Sequence, residues 1–373
     1  MGKALAGNAR MNLQKPFTVC IFGYDEHDEG GRAWAIMTGL AKNGIIVKPC
    51  RTLLDGFFEK YRDLYRKWNG ISGNINAMYV LFMGYYLVPL AWYLARRRKI
   101  PVILDVLVSQ YDTEVTDRKR LSRYHPRAWF LWVLDWFSCH VADAIVVDTY
   151  EHKIFFTKKF FVNAKKILVV RVGCRSDLFK PLPHVKKPYD DFIVEFHGAF
   201  SPLQGVEYII EAAKILQDRK EHVQFQITGS GQLSAIITAL VDTLHLANVK
   251  FFDRVALADL PRTIARGDIC LGVFGITEKA LRVIPNKVYE CMSCGKPVIT
   301  ERSPAALEVL HDYMEVCMVD PGNGLVLAEK ILELKNDVAL RARLAEHARA
   351  ISLSTFSPHT IVQPLVHWLE SHI

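Results

Sequence analysis

Between Gly275 and Thr300 the chain reads GITEKALRVIPNKVYECMSCGKPVIT, which sets Arg282, Lys287 and Glu290 around one helix running into Gly295 and an apolar strand. Two cations before and within the first turns of a helix suit neutralisation of a diphosphate. A carboxylate one turn later suits hydrogen bonds from ribose hydroxyls. A surface helix with an internal Lys287/Glu290 pair is the competing reading. Two glycine-bearing turns follow strands in the same half. HGAFSPLQGVEYIIEAAKIL sets His197, Gly198 and Gly205 ahead of an amphipathic helix whose N-terminus would attract phosphate. ITGSGQ sets Gly229 and Gly231 where backbone would approach a nucleotide or simply turn. His197 ends its strand where a ligand would pass.

The cysteine chemistry is weaker. Cys291 and Cys294 form one C-x-x-C on a helix without a second ligand pair, so buried packing is expected rather than metal or redox work. The thirteen histidines show no metal-ligand spacing. All eight cysteines are scattered without a disulfide framework and read as reduced thiols.

The elements that position these groups alternate strand and helix. FTVCIFG, IIVKP, AMYVLFM, PVILDVL, DAIVVDT and KILVVRVG read as strands in the first half. FIVEFHG, VQFQITGSG, VKFFDRV, ICLGVFG, PVITERS and EVCMVD read as strands in the second. Short Val/Ile/Leu runs separated by helical segments are what parallel sheets buried on both faces require. Two doubly wound, Rossmann-like α/β domains facing across a cleft are therefore expected. The boundary falls in the proline-rich, charged stretch from Phe179 to Asp191, giving domains over 1–182 and 183–357. A terminal helix over 358–373 is expected to pack back on the first domain.

The 373 residues carry a formal charge of +8. Residues 1–187 hold 30 Lys+Arg against 16 Asp+Glu, and the remainder 17 against 23. The basic first half faces either something anionic, such as a membrane surface, a phosphorylated acceptor or a nucleic acid, or only solvent. Two basic-aromatic segments, Lys60 to Trp68 and Asp117 to Phe137, suit a membrane interface, although core packing is expected to claim most of Trp129, Phe130, Trp132, Val133 and Trp136. No recognised nucleic-acid module accompanies the charge, so nucleic acid is not expected as a partner. Met1 to Lys15 lacks an apolar h-region, and Ala6 stands where a myristoylation signal wants Ser or Thr, which predicts a cytoplasmic protein. The uncharged stretch from Asn69 to Ala95 is long enough to span a membrane, but Gly84 and Pro89 break it. It parses as strand 77–83, loop 84–86 and helix 87–99 before a strand at 100–106.

In this order the segments resemble the retaining glycosyltransferases of family 4, which have the GT-B fold. The resemblance rests on Glu29-Gly30-Gly31-Arg32 after the first strand, VGCRSDLFKP at the end of the first domain, the Gly198-to-Val206 helix entry, and the Gly229/Gly231 turn. Glu290 followed by CMSCGKPVI completes it. Two positions depart from the pattern. The first glutamate of E-x7-E falls on Arg282, and the usual diphosphate-gripping Arg and Lys fall on Ala199 and Gln204.

The resemblance implies transfer of a sugar from a uridine or guanosine diphosphate donor to an acceptor, lipid-linked or glycan, with retention of anomeric configuration. This would place a retaining hexosyltransferase in polysaccharide or glycoconjugate biosynthesis, at the cytoplasmic membrane face. Arg282 and Lys287 would stabilise the leaving phosphate in place of the missing clamp and without a metal ion. Glu290 would bind ribose, the backbone of Gly30 and Gly31 the phosphates, and the loop around Val255 the base. Asp105, at a strand end, would be base or orienter toward acceptor and sugar, with a turn-capping role as the alternative. A catalytically inactive GT-B-like binding protein and a nucleotide-sugar epimerase are the rival functions.

Overall fold

The computed structural model describes residues 17–24, 31–182, 185, 187 and 191–373. Two six-stranded sheets, parallel throughout, organise the chain. The first contains β1 (Thr18–Tyr24), β2 (Ile46–Thr52), β3 (Ala77–Val80), β4 (Val102–Asp105), β5 (Ala144–Val147) and β6 (Ile167–Val169), in the order β2-β1-β3-β4-β5-β6. The second contains β7 (Phe192–His197), β8 (Val223–Thr228), β9 (Val249–Phe252), β10 (Ile269–Leu271), β11 (Val298–Glu301) and β12 (Cys317–Val319), in the order β12-β11-β10-β7-β8-β9. Every strand run read from the sequence is present.

The crossover helices of the first sheet are α1 (Gly31–Lys42), α2 (Phe57–Gly70), α3 (Val88–Arg98), α4 (Pro126–Val141) and α5 (Tyr150–Phe160). Those of the second are α6 (Val206–Asp218), α7 (Ser234–Thr243), α8 (Leu260–Arg266), α9 (Asn286–Ser293) and α10 (Pro304–Leu307), and α11 (Gly324–Asn336) and α12 (Val338–Leu353) follow its last strand. Parallel strands need such crossovers, and the helices bury both sheet faces. That is why β3, β4 and β5 are buried at every residue. The core of the second domain gathers Ile209, Ile210 and Ala213 of α6 against Phe225 and Ile227 of β8.

The last two helices, α13 (Pro358–Ile361) and α14 (Gln363–His372), return to the first sheet. There Leu365, Leu369 and Trp368 share a core with Val19 and Ile21 of β1. The uncharged 69–95 stretch forms β3, a 3₁₀ turn at Gly84–Leu87 and the start of α3. Among the described residues no helix is long and apolar enough to cross a membrane. The eight cysteines are buried and unpaired.

Candidate functional site

In the second sheet β7 lies between β8 and β10, and the connection from β7 to β8 runs in the opposite direction to that from β10 to β11. A crevice opens outside the carboxyl ends of the strands at such a switch point. His197 is the last residue of β7, the 198–205 loop leads from it into α6, and the loop after β10 leads into α9. Lys287 and Glu290 ride on the first turns of α9 and are both buried. The structure thus brings His197, Gly198, Lys287 and Glu290 together.

His197 bridges two carboxylates. Its Nδ1 lies 3.0 and 3.2 Å from the Glu195 oxygens, and its Nε2 lies 3.1 Å from Glu290 Oε2. Burial opposes charging the ring, but the Glu195 carboxylate and then Glu290 outweigh it and raise the imidazole to about 10. Both ring nitrogens then donate, and the imidazolium fixes the direction in which Glu290 presents its remaining acceptor sites. Glu195 was not singled out from the sequence. Its signal was a charged residue inside an apolar strand run, two before His197 and so on the same face. Cys291 lies with Glu195 and His197 so that one ligand atom of each falls within 4.8 Å of the others. Glu195 and His197 form the ion pair of this trio, and burial holds the Cys291 thiol well above its ordinary value.

Lys287 donates to the side-chain oxygen of Gln204, and its ammonium sits 3.6 Å above the Phe196 ring. Burial pushes it down to about 7, although Glu195 and Glu290 pull the other way. Gly198 makes room for it: the backbone has φ +154°, and a Cβ there would come 2.7 Å from the Lys287 Nζ. Gly229 serves loop packing, since a Cβ would fall 2.1 Å from the Gly198 carbonyl oxygen. Gly231 likewise lies against the Phe200 backbone. These two glycines seat the β8 loop on the β7 loop backbone to backbone. Val255 is half-buried in the loop that follows β9.

Arg282 is not grouped with Lys287 by any direct contact. Its guanidinium reaches across to the first domain, 2.8 Å from Asp112, and lies 4.3 Å over the Phe155 ring. Its carbonyl accepts from the Thr149 hydroxyl at 2.7 Å. The expected phosphate cation is therefore engaged in the domain interface, because Asp112 offers it a buried carboxylate. Around it Lys279 donates to Thr113 at 2.8 Å, and Thr277 to Asp117 at 3.2 Å. Asp112, Thr113 and Asp117 lie on one π-helical turn, Asp112–Asp117. Such turns concentrate at functional sites.

Asp105 is 1% exposed at the end of β4. One carboxylate oxygen accepts from Arg32 Nε at 2.7 Å and from the Tyr79 hydroxyl at 2.8 Å. The sequence expectation of a base or orienter toward acceptor meets a different geometry, in which Asp105 anchors Arg32. Arg32 in turn donates to the carbonyls of Val170 and Arg171. Gly31 begins α1. Gly30 lies outside the described residues.

This site sits in an architecture shared with solved glycosyltransferases. HepE from Anabaena, solved in complex with UDP and glucose, superposes with a TM-score of 0.70 at 16% identity, over 95% of this chain and 100% of that one. The sucrose-phosphate synthase of Thermosynechococcus elongatus gives 0.72 at 15% identity, over 96% and 99%. The fold is GT-B.

The family model described as glycosyl transferases group 1 matches residues 191–337, the part of the GT-B chain that contains His197, Lys287 and Glu290. Among curated relatives, an uncharacterized glycosyltransferase of Methanocaldococcus jannaschii is 25% identical over 58% of this chain and 62% of its own. The lipopolysaccharide core biosynthesis glycosyltransferase LpsD of Rhizobium meliloti is 28% identical over 49% and 52%, and the alpha-D-kanosaminyltransferase of Streptomyces kanamyceticus 26% over 44% and 42%. The match therefore spans about half the length of these relatives.

Proposed function

We propose that this GT-B protein is a retaining hexosyltransferase of family 4 that moves a sugar from a nucleoside diphosphate, uridine diphosphate first among the candidates, to a lipid-linked acceptor. The observation that carries the reading is the trio His197, Lys287 and Glu290 at the switch point of the second sheet. In it a buried cation stands beside a carboxylate held in place by an imidazolium. The HepE complex with UDP-glucose supports the choice of nucleotide.

In the proposed reaction the bond from the anomeric carbon to the donor phosphate oxygen breaks, and negative charge grows on that oxygen. Lys287 receives this charge. One such preorganised contact is worth about 3 kcal/mol of barrier, roughly a hundredfold in rate. The acceptor hydroxyl attacks from the face the phosphate leaves, and the departing phosphate takes its proton. Glu290 accepts hydrogen bonds from ribose hydroxyls. With the leaving group met by a side-chain cation, the reaction is proposed to run without a metal ion.

A second reading, nucleotide-sugar binding without transfer, is favoured by one observation: Arg282 is paired with Asp112 instead of lying free for phosphate. Incubation of the protein with UDP-glucose and EDTA, followed by chromatography of the nucleotide products, separates the two. Release of UDP, by slow hydrolysis or by transfer, supports the transferase. Tight binding with no UDP release under any acceptor condition supports the binding protein.

A further inference from the structure

The sequence led us to expect the aromatic side chains of α4 in the core, and the structure turns them outward. Trp129 is 63% exposed and Phe130 54%, with Val133, Trp136 and Phe137 also exposed along the helix. Its buried side holds the smaller Ala128, Leu131, Ser138 and Cys139, with Asp135. Trp132, half-buried against Phe160, alone follows the expectation.

This face does not end with α4. The Phe130 ring lies 6.3 Å from Tyr86 on the 3₁₀ turn, and the Tyr86 carbonyl accepts from the Tyr61 hydroxyl of α2. Tyr61 packs 4.6 Å from Phe57, which meets Phe58 edge-on at 5.4 Å. Phe58 is 80% exposed. A run of contacts, mostly between exposed aromatics and joined at Tyr86 through its backbone carbonyl, thus links the start of α2 to the first half of α4. Single exposed apolar residues are ordinary, but a contiguous patch marks an interaction surface.

The charge beside the patch points to its partner. Residues 118–130 contain Arg118, Lys119, Arg120, Arg123 and Arg127 and no acidic residue. Arg123 stacks on exposed Tyr124, and Arg127 stands in the first turn of α4, three residues before Phe130. Aromatic rings rimmed by cations match the boundary between acyl chains and anionic headgroups. A second copy of the chain would set this basic rim against itself. The same segment continues from the Asp112–Asp117 turn that touches the other domain, and the Arg118 carbonyl accepts from Gln232 there. The basic segment therefore runs from the contact with the other domain into α4, which carries part of the patch.

We infer that the face formed by the N-terminal end of α2, the Gly84–Leu87 turn and the first half of α4 docks the protein on an anionic phospholipid bilayer. Phe57, Phe58, Trp129 and Phe130 enter the interface, and Arg123 and Arg127 meet the headgroups. This deepens the proposal of a lipid-linked acceptor, whose headgroup would reach the cleft from the surface on which the protein sits. The docking itself does not depend on sugar transfer.

The test is co-sedimentation of the full chain with vesicles of phosphatidylcholine alone and of phosphatidylcholine with phosphatidylglycerol. Wild type should partition onto the anionic vesicles, less so as salt rises, with a blue-shifted tryptophan emission. Replacing Trp129→Ser and Phe130→Ser together should weaken partitioning at least about tenfold. Arg123→Glu with Arg127→Glu should abolish the preference for anionic lipid. Circular dichroism, melting temperature and nucleotide affinity, unchanged in both variants, show that fold and donor site persist. No partitioning of wild type, variants that partition as wild type does, or a solution dimer that the Trp129/Phe130 variant dissociates would each overturn the inference. Failure of sugar transfer with vesicle binding intact would instead count against the transferase reading alone.

Discussion

Gln204 holds Lys287: the side chain standing where the family pattern carries a lysine accepts the hydrogen bond of the cation left in the site. One cation, carried by the first turn of α9, thus stands against the loop that leads into α6. A buried ammonium with a neutral oxygen partner has an unspent charge, and an arriving diphosphate is its natural counter-ion.

Lys287 should make nucleotide binding depend on pH. With its ammonium pushed down to about 7, Lys287 itself is largely uncharged in more alkaline solution, and a diphosphate that pairs with it must bring a proton in. Affinity for UDP should then fall as pH rises above about 7, by up to about tenfold per unit. The heat of binding at pH about 8 should vary with the ionisation enthalpy of the buffer. Lys287→Met should bind at least about tenfold more weakly at pH 6.5 and lose both dependences. A wild-type affinity flat across this range would contradict the assignment.

Gly198 should resist even the smallest side chain. Gly198→Ala places a methyl group against the Lys287 ammonium at a backbone angle that side chains rarely adopt. UDP affinity is expected to drop about tenfold while the far-ultraviolet circular dichroism stays native. Unchanged affinity would mean that Lys287 does not touch the ligand from its present position.

Much of this was legible in the sequence, and the reasons differ by level. The strand runs announced themselves because parallel strands buried on both faces need continuous Val, Ile and Leu. Lys287 and Glu290 were legible because three positions on one helix fix their relation. Asp112 and Arg282 lie 170 residues apart, and nothing local records their pairing. Asp105 looked catalytic from its place at a strand end, and only the fold shows Arg32 and Tyr79 converging on it. The outward aromatics of α4 were misplaced for another reason: the core side of that helix is filled by small residues, so the large ones had nowhere inside to go.

The Arg282–Asp112 pair should couple energetically in the free protein. A double-mutant cycle with Arg282→Gln and Asp112→Asn, read by chemical denaturation, is expected to give about 1–3 kcal/mol of interaction. If Arg282 turns to phosphate during the reaction, saturating UDP should shrink that coupling. A coupling that is absent without ligand would contradict the pairing, and one unchanged by UDP would leave Arg282 a purely structural contact.

Glu301 offers a stability test remote from the reaction. Both carboxyl oxygens are buried with no well-formed hydrogen bond among the described residues, and burial pushes the group up to about 8, offset only in part by the nearby Ser303 hydroxyl. The folded state then keeps a proton that the unfolded chain releases above its ordinary value of 4.5. Stability is lost as pH rises from there to about 8. Glu301→Gln should therefore gain nothing over wild type at pH about 4 and progressively more toward pH 8, at up to about 1.4 kcal/mol per unit. Parallel wild-type and variant denaturation curves at both pH values would show that Glu301 finds water or a partner.

The most direct test of the donor site is calorimetric titration of UDP and of its 2′,3′-dideoxy counterpart into wild type and Glu290→Ala, with EDTA present. The account predicts that wild type prefers the ribose nucleotide by about tenfold or more, and that Glu290→Ala binds both equally and weakly. Equal affinity of wild type for the two nucleotides, or a preference that survives in Glu290→Ala, would contradict it.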